Sequence, residues 1–167
     1  MANSFPDIAI LIPSFNPDDN LTNLVAALSA YSWSQMVIVD DGSSDDTQLI
    51  FGKLRTVDNV HVIRHSNNQG KGASLKTGIK YIDDNSEILK GIITVDADGQ
   101  HLVEDIKKIA KYAQDRENDV IFGVRSFGKN TPFRSKFGNK LTKYLLYIFN
   151  GISVDDTQTG LRYLPVS

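Results

Sequence analysis

Cysteine is absent from the sequence, which excludes disulfides and thiolate metal sites and permits a reducing compartment without requiring one. Also missing is any run of about 18 apolar residues, the length a helix needs to cross a bilayer. The longest apolar stretch, YLLYIF at 144–149, is far shorter. The first residues, MANSFPD, are polar and short, so no secretion signal is expected. Excess positive charge is missing too: the net charge of -2 and pI near 5.9 argue against general nucleic-acid binding, which leaves a basic footprint. No GxGxxG follows the first apolar run, and no Ser/His/Asp arrangement stands out.

With 167 residues and 41% hydrophobic content, the chain fits one globular α/β domain, 1–167, with a core large enough to fold alone. Its charge is uneven. Arg125, Lys129, Arg134, Lys136, Lys140 and Lys143 fall in a segment without Asp or Glu, whereas acidic residues gather at 18–19, 40–46, 96–98 and 155–156.

Continuous apolar runs, IAILIP at 8–13, MVIVDD at 36–41, VHVIRH at 60–65, GIITVDAD at 91–98 and DVIFGVR at 119–125, read as buried strands. Helical patterns lie between them. Asn16 is placed to cap the first helix with Pro17 at its first position, and Leu21, Leu24, Val25 and Leu28 form its apolar face. Ser44 is placed to cap a helix over 45–54; further helices are expected up to about Asp83 and over 102–115. FRSKFGNKLTKYLLYIFNG at 133–151 reads as an amphipathic helix, and LRYLP as a closing short strand. Strands alternating with helices imply a mostly parallel sheet covered on both faces, with ligands at the carboxyl ends of the strands. Four polar clusters fall at those ends: PSFN, DDGSSDD, NNQGKG and DADGQH.

Each cluster has a plain reading beside a chemical one. NNQGKGAS fails as a phosphate loop, because position 65 is His where glycine is required and position 72 is Gly where Ser or Thr is required. It fits a tight turn, with Lys71 and backbone amides able to contact phosphate. In DDGSSDDT, a turn and helix cap account for Gly42, Ser44 and Asp45 but not for Asp40 and Asp41, whose carboxylates could accept from a base or ribose. In DADGQH, Asp96 and Asp98 stand two apart at a strand end, and alternate strand residues share a face. Their repulsion can be relieved by protonation, by water in a turn or by a cation. Mg or Mn suits these oxygen donors, with Gln100 adding a neutral one. His101 could join as a ligand or serve as a cap or packing residue. His61 and His65 show no partner spacing.

Taken together and in this order, LIPSFN, VIVDDGSSDDT, NNQGKGASLKTG, TVDADGQH, VIFGVR and DTQTGLR resemble family 2 glycosyltransferases. Within that family the chain is similar to the subgroup that glycosylates polyprenyl phosphates, such as dolichyl-phosphate mannose and glucose synthases. The resemblance implies a GT-A fold of Rossmann-like type and a metal-dependent transfer of sugar from a UDP- or GDP-linked donor to a polyprenyl phosphate. It implies that Pro13, Phe15 and Asn16 line the nucleotide pocket, that Asp41 with Asp40 approaches the base or ribose, and that Lys71 lies near the nucleotide. Asp96, Asp98 and Gln100 would hold Mg or Mn and the diphosphate. Arg125 and Arg134 would face the acceptor phosphate, and Asp156, Gln158 and Arg162 would border the sugar and diphosphate.

In two places the chain departs from the family pattern. Pro17 and Asp18 stand where many relatives carry Glu, and the sequence ends at Ser167 where relatives continue, so a C-terminally truncated catalytic domain is expected. A cytoplasmic location, at the cytoplasmic face of a membrane for a longer chain, is expected with it. A lipid phosphate, with a second pKa near 6, needs no strong general base. If the acceptor is instead a sugar hydroxyl of a polysaccharide or surface glycan, Asp156 or Asp155 is the candidate base of an inverting displacement. A nucleotide-sugar-binding module without turnover is the remaining alternative.

Overall fold

The computed structural model describes residues 4–86, 88–123 and 160–166. A six-stranded sheet forms its centre, built from β2 (Ile8–Ser14), β4 (Met36–Asp40), β5 (Val60–Arg64), β6 (Gly91–Thr94), β7 (Ile121–Phe122) and β8 (Arg162–Pro165). The order across the sheet is β5-β4-β2-β6-β8-β7. The first four are parallel, whereas β8 runs antiparallel to both β6 and β7. A separate pair, β1 (Ser4–Phe5) and β3 (Ser32–Trp33), is held beside the sheet by the stacked rings of Phe5 and Trp33, 4.7 Å apart.

The apolar runs form strands because both faces are covered. Ile8, Ile10 and Ile12 of β2 pack in one cluster with the buried leucines of α1 (Asp19–Leu28), Phe51 and Leu54 of α2 (Gln48–Leu54), and Ile106 and Ile109 of α4 (Val103–Gln114). Ala9 and Leu11, pointing the other way, join Val37, Val39 and Ile92 under Ile82 of α3 (Lys71–Asp84). Each fully buried Leu or Ile contributes about 1.5 to 3 kcal/mol relative to exposure, so the two clusters dominate stability.

Helix faces fall where the spacing predicts: Leu21, Leu24, Val25 and Leu28 are the buried residues of α1. Its cap does not. Asp18, not Asn16, is the N-cap and accepts from the Asn20 amide at 2.9 Å; a cap of this type is worth about 1 kcal/mol. Pro17 therefore precedes the helix, and Asn16, at φ +47°, is released for another contact. Ser44 does stand before the expected helix, which begins as a 3₁₀ turn, Asp45–Thr47, ahead of α2.

The fourth strand is shorter than the pattern GIITVDAD suggests: it ends at Thr94, and Asp96 and Asp98 lie in the turn beyond. The last pairing to β2 is the Val95 amide on the Leu11 carbonyl, 2.9 Å, after which the chain leaves the sheet and turns through Gly99 at φ +72°. Among the described residues the fifth strand is only Ile121–Phe122. The expected helix at 133–151 lies outside the described residues. Among the described residues no helix is long and apolar enough to cross a membrane.

One topological feature positions the site. From β2 the chain adds β4 and then β5 on one side and returns to add β6 on the other, so the connections leaving β2 and β6 diverge. Between them opens the crevice at which ligands of such sheets bind.

Candidate functional site

A cleft of about 220 Å³ fills that crevice. Pro13, Ser14 and Phe15 from the end of β2, Asp41 beyond β4, Asn68, Gly70, Lys71 and Ser74 at the start of α3, and Asp96 beyond β6 line it. Of the residues expected to form the site, Pro13, Phe15, Asp41, Lys71 and Asp96 are thus brought together. Phe15 is 51% exposed, an unusual state for a phenylalanine and one that leaves its ring free at the mouth of the cleft.

The two carboxylates after β4 hold the loops in place. Asp40 is fully buried; its Oδ1 accepts from the Ser43 amide at 2.8 Å, while Oδ2 accepts from Gln48 Nε2 at 3.1 Å and lies 3.4 Å from Arg64 Nε. Asp41 takes His65 Nδ1 at 2.7 Å and the Gln69 amide at 3.0 Å on Oδ1, and the Gly70 amide at 2.8 Å on Oδ2. Burial alone would raise the Asp41 pKa, but the Gln69 amide, His65, the Gly70 amide and the Ser74 hydroxyl outweigh it and hold it below the usual carboxylate range. The turn reading of DDGSSDD, which leaves these two residues unexplained, is therefore incomplete: they tie the second loop to the third. Gly42 permits the approach. Its φ is +72°, and a Cβ there would stand 2.4 Å from the Asn67 carbonyl carbon.

Asn16 serves the same assembly from the first loop. Its amide donates to Ser43 Oγ at 2.9 Å, and its side-chain oxygen accepts from the Ser44 amide at 2.9 Å. Asn16 and Asp40 are not among the residues lining the cleft.

Asp96 meets two basic side chains of the chain itself. Lys71 Nζ donates to its Oδ1, and His101 Nε2 lies 3.6 Å from Oδ2. Burial would push the Asp96 carboxyl up, but the His101 and Lys71 contacts prevail and bring it down to about 2. Asp98 Oδ1 accepts from the Gln100 amide at 3.0 Å. Gln100 and His101 border a second, larger cavity of about 640 Å³ beside α4. Among the described residues no group of three or more His, Cys, Asp or Glu is arranged to hold a metal. The donor types still suit a hard divalent ion: Asp96 is held ionised, and Asp98 and Gln100, two and four residues on, carry the carboxylate and amide oxygens that such an ion prefers.

On β8, Arg162 pairs across the sheet with Thr94, and its guanidinium carbon lies 5.6 Å from the Phe122 ring centre. The expected site residues Arg125, Arg134, Asp156 and Gln158, and the candidate base Asp155, lie outside the described residues.

Two contributors, His65 and Ser14, escape the sequence reading, and His101 takes one of the places that reading left open. His65 Nε2 lies 2.9 Å from Thr77 Oγ1 while Nδ1 binds Asp41, so it bridges α3 to the end of β4. The signal for it is register: β4 and β5 pair Asp40 with Arg64, and the next residues in each, Asp41 and His65, are neighbours. His101 does not cap α4, whose N-cap is Leu102; it is buried against Asp96. Ser14, 4% exposed, lines the cleft with a buried hydroxyl that has no hydrogen-bond partner among the described residues. No sequence pattern marks it.

Comparison with known proteins bears on the same segments. The pattern of glycosyl transferase family 2 matches residues 9–163. An uncharacterized protein of Methanocaldococcus jannaschii, MJ1222, is 35% identical over 163 residues, 93% of this chain and 63% of that protein. The UDP-N-acetylglucosamine–dolichyl-phosphate N-acetylglucosaminyltransferase of Methanococcus voltae is 30% identical over 172 residues, 93% of this chain and 68% of that protein. The chain thus spans roughly two thirds of the length of these relatives. Among solved structures, the mannosyltransferase PcManGT from Pyrobaculum calidifontis, in complex with GDP-Man and Mn2+, superposes with a TM-score of 0.56 at 15% identity, over 73% of this chain and 37% of that one. That likeness speaks for the fold alone, a GT-A sheet with its helices. The sequence match runs through every loop that meets at the cleft, and on it the chain belongs to glycosyl transferase family 2.

Proposed function

We propose that this chain is a single catalytic domain of a hexosyltransferase that moves a sugar from a nucleoside diphosphate to a polyprenyl phosphate at the cytoplasmic face of a membrane. The observation that carries the reading is the convergence of strand-end loops on one cleft, with an exposed aromatic ring at its mouth, ionised Asp41 and Asp96 in its wall and Lys71 between them. The relative from Methanococcus voltae is named as a dolichyl-phosphate N-acetylglucosaminyltransferase, which supports the acceptor class.

In this reading Phe15 stacks on the base and Asp41 accepts from it. Gly70, the N-cap of α3, has no side chain to cap the first amides, and such a helix start, with Gly70 and Lys71 lining the cleft, suits a phosphate. Lys71 then exchanges its partner, leaving Asp96 for the diphosphate oxygens where negative charge grows as the sugar departs. Mg or Mn, held by Asp96, Asp98 and Gln100, would supply further charge stabilisation at the same place. In this reading Arg162, on the strand beside β6, borders the sugar and diphosphate, a role shared with Gln158. The lipid phosphate is anionic at neutral pH and is itself the nucleophile, so no residue of the chain need act as a strong base toward it.

Nucleotide binding by calorimetry, with Mn and with chelator, tests the reading. Affinity should fall sharply with chelator and in Asp98→Asn; equal binding in all three conditions would remove the metal from the site. Transfer of labelled sugar to polyprenyl phosphate by the protein tests the acceptor, and transfer to a glycan hydroxyl instead would replace it.

A further inference from the structure

Lys71 is the first residue of α3, at the end of the helix where unpaired amides already carry positive charge, and no acidic residue stands in that first turn. A cation there calls for an anion from elsewhere in the chain. Asp96 supplies it, its Oδ1 accepting from Lys71 Nζ. Two further groups press on the same carboxylate: His101 Nε2 stands 3.6 Å from Oδ2, and the Gly160 backbone lies so close that a Cβ there would collide with it. Both are fixed, His101 by burial and Gly160 by the Thr94 hydroxyl on its carbonyl. Lys71 is not. Its side chain is 53% exposed and its ammonium rides on a flexible four-carbon stem, whereas the Asp96 side chain is 19% exposed.

We propose that Lys71 is an internal competitor of the metal: it and a divalent ion contend for Asp96, and a diphosphate at the start of α3 settles the contest by drawing the ammonium away. The inference rests on the metal-dependent nucleotide-sugar reading above and adds an order of binding to it. An ammonium and a divalent cation repel each other, so the pair made by Lys71 opposes entry of the ion at that carboxylate. A diphosphate carries more negative charge than one carboxylate and suits the same helix start. The donor therefore opens Asp96, and the metal is admitted with it or after it. Metal affinity of the chain alone is lowered by the fraction of time that Lys71 holds the carboxylate. The same factor returns as coupling between metal and diphosphate, felt equally by each.

Mn binding, read from the EPR signal of Mn in solution and corrected for Mn held by free nucleotide, tests the competition without nucleotide and with saturating UDP or GDP. Without nucleotide, Lys71→Met should bind Mn about tenfold more tightly than the unmodified chain, and Lys71→Arg, which keeps the cation, should stay within about twofold of it. Nucleotide should tighten Mn binding at least about tenfold more in the unmodified chain and in Lys71→Arg than in Lys71→Met. Lys108→Met removes the same charge from the border of the neighbouring cavity, where its partner is Asp105, and should leave Mn affinity unchanged. In Asp96→Asn the gain from Lys71→Met should vanish. Unchanged Mn affinity in Lys71→Met, an equal gain in Lys108→Met, or a gain that survives in Asp96→Asn overturns the inference and leaves the reading of the site in place. No Mn binding by the unmodified chain even with nucleotide overturns both.

Discussion

Gly160 lies with its backbone against the Asp96 carboxylate: a Cβ at that position would stand 2.0 Å from Oδ2. The placement is fixed by Thr94, whose hydroxyl donates to the Gly160 carbonyl at 2.8 Å. Gly160, just ahead of β8, therefore walls the Asp96 carboxylate, and the glycine of DTQTG is there for closeness to it. Alanine must displace Asp96 from its contacts with Lys71 and His101. Gly160→Ala is expected to weaken Mn-dependent nucleotide binding at least about tenfold, with an overpacking penalty of about 1 to 3 kcal/mol in urea unfolding. Unaltered binding would mean that Asp96 does not act from this position.

The Asp96 carboxyl supplies a pH prediction. Its pKa in the folded chain is about 2, below the value of about 3.9 in an unfolded chain. A depressed carboxyl contributes stability that is present above the unfolded value and lost as pH falls through the folded one. Here the window runs from about pH 4 down to about pH 2, and the term is roughly 2 kcal/mol. Without metal, wild type should lose that much more stability than Asp96→Asn between pH 5 and pH 2. Lys71→Met should move the Asp96 titration upward, read by NMR of the carboxyl carbon. A titration that stays in place would assign the depression to His101 alone.

A third prediction concerns Gly42, where two requirements coincide. The residue sits at φ +72°, and a Cβ would meet the Asn67 carbonyl carbon at 2.4 Å and the Asn68 amide at 2.6 Å. Backbone cannot yield as a side-chain tip does. Gly42→Ala should cost about 2 kcal/mol or more in unfolding free energy and should part the second loop from the third. Because Asp41 and Asn68 stand on those two loops, nucleotide binding should fall as well. A stable variant with normal binding would show that the loops do not depend on their mutual packing.

The alternation of strands and helices is legible because buried parallel strands are continuous apolar runs and α1 buries the leucines its spacing names. Strand order is not, since parallel pairing is decided by contacts far apart in the chain. The pair of β1 and β3, two residues each, is too short for any period to register and depends on one aromatic stack. At the site, the resemblance groups Pro13, Phe15, Asp41, Lys71 and Asp96, and they do share a cleft. What spacing could not convey is how Asp40 and Asp41 are used. Their partners, Arg64, His65, Gln69 and Gly70, come from the next strand and loop, and only the register of β4 against β5 brings them near. Asn16 shows the same limit: an N-cap by sequence, it becomes a link to Ser44 once Asp18 takes the cap.

The last prediction addresses the acceptor. Arg125, Lys129, Arg134, Lys136, Lys140 and Lys143 follow one another without an intervening acid, and a polyprenyl phosphate requires a cationic site that a glycan hydroxyl does not. Arginine suits that task, because its planar guanidinium grips a phosphate with two parallel hydrogen bonds, whereas lysine offers a point charge. The described wall of the cleft is built from other residues altogether. Binding and transfer should therefore separate: Arg125→Ala or Arg134→Ala should leave the UDP dissociation constant within about twofold and reduce transfer to polyprenyl phosphate by about a hundredfold, the scale of two lost charge-assisted hydrogen bonds. Lys140→Ala and Lys143→Ala should instead weaken attachment to vesicles containing anionic lipid, by an amount that shrinks as salt rises. Transfer at wild-type rates by both arginine variants would take the anion site away from this segment, and with it the main reason to prefer a lipid phosphate over a hydroxyl as the acceptor.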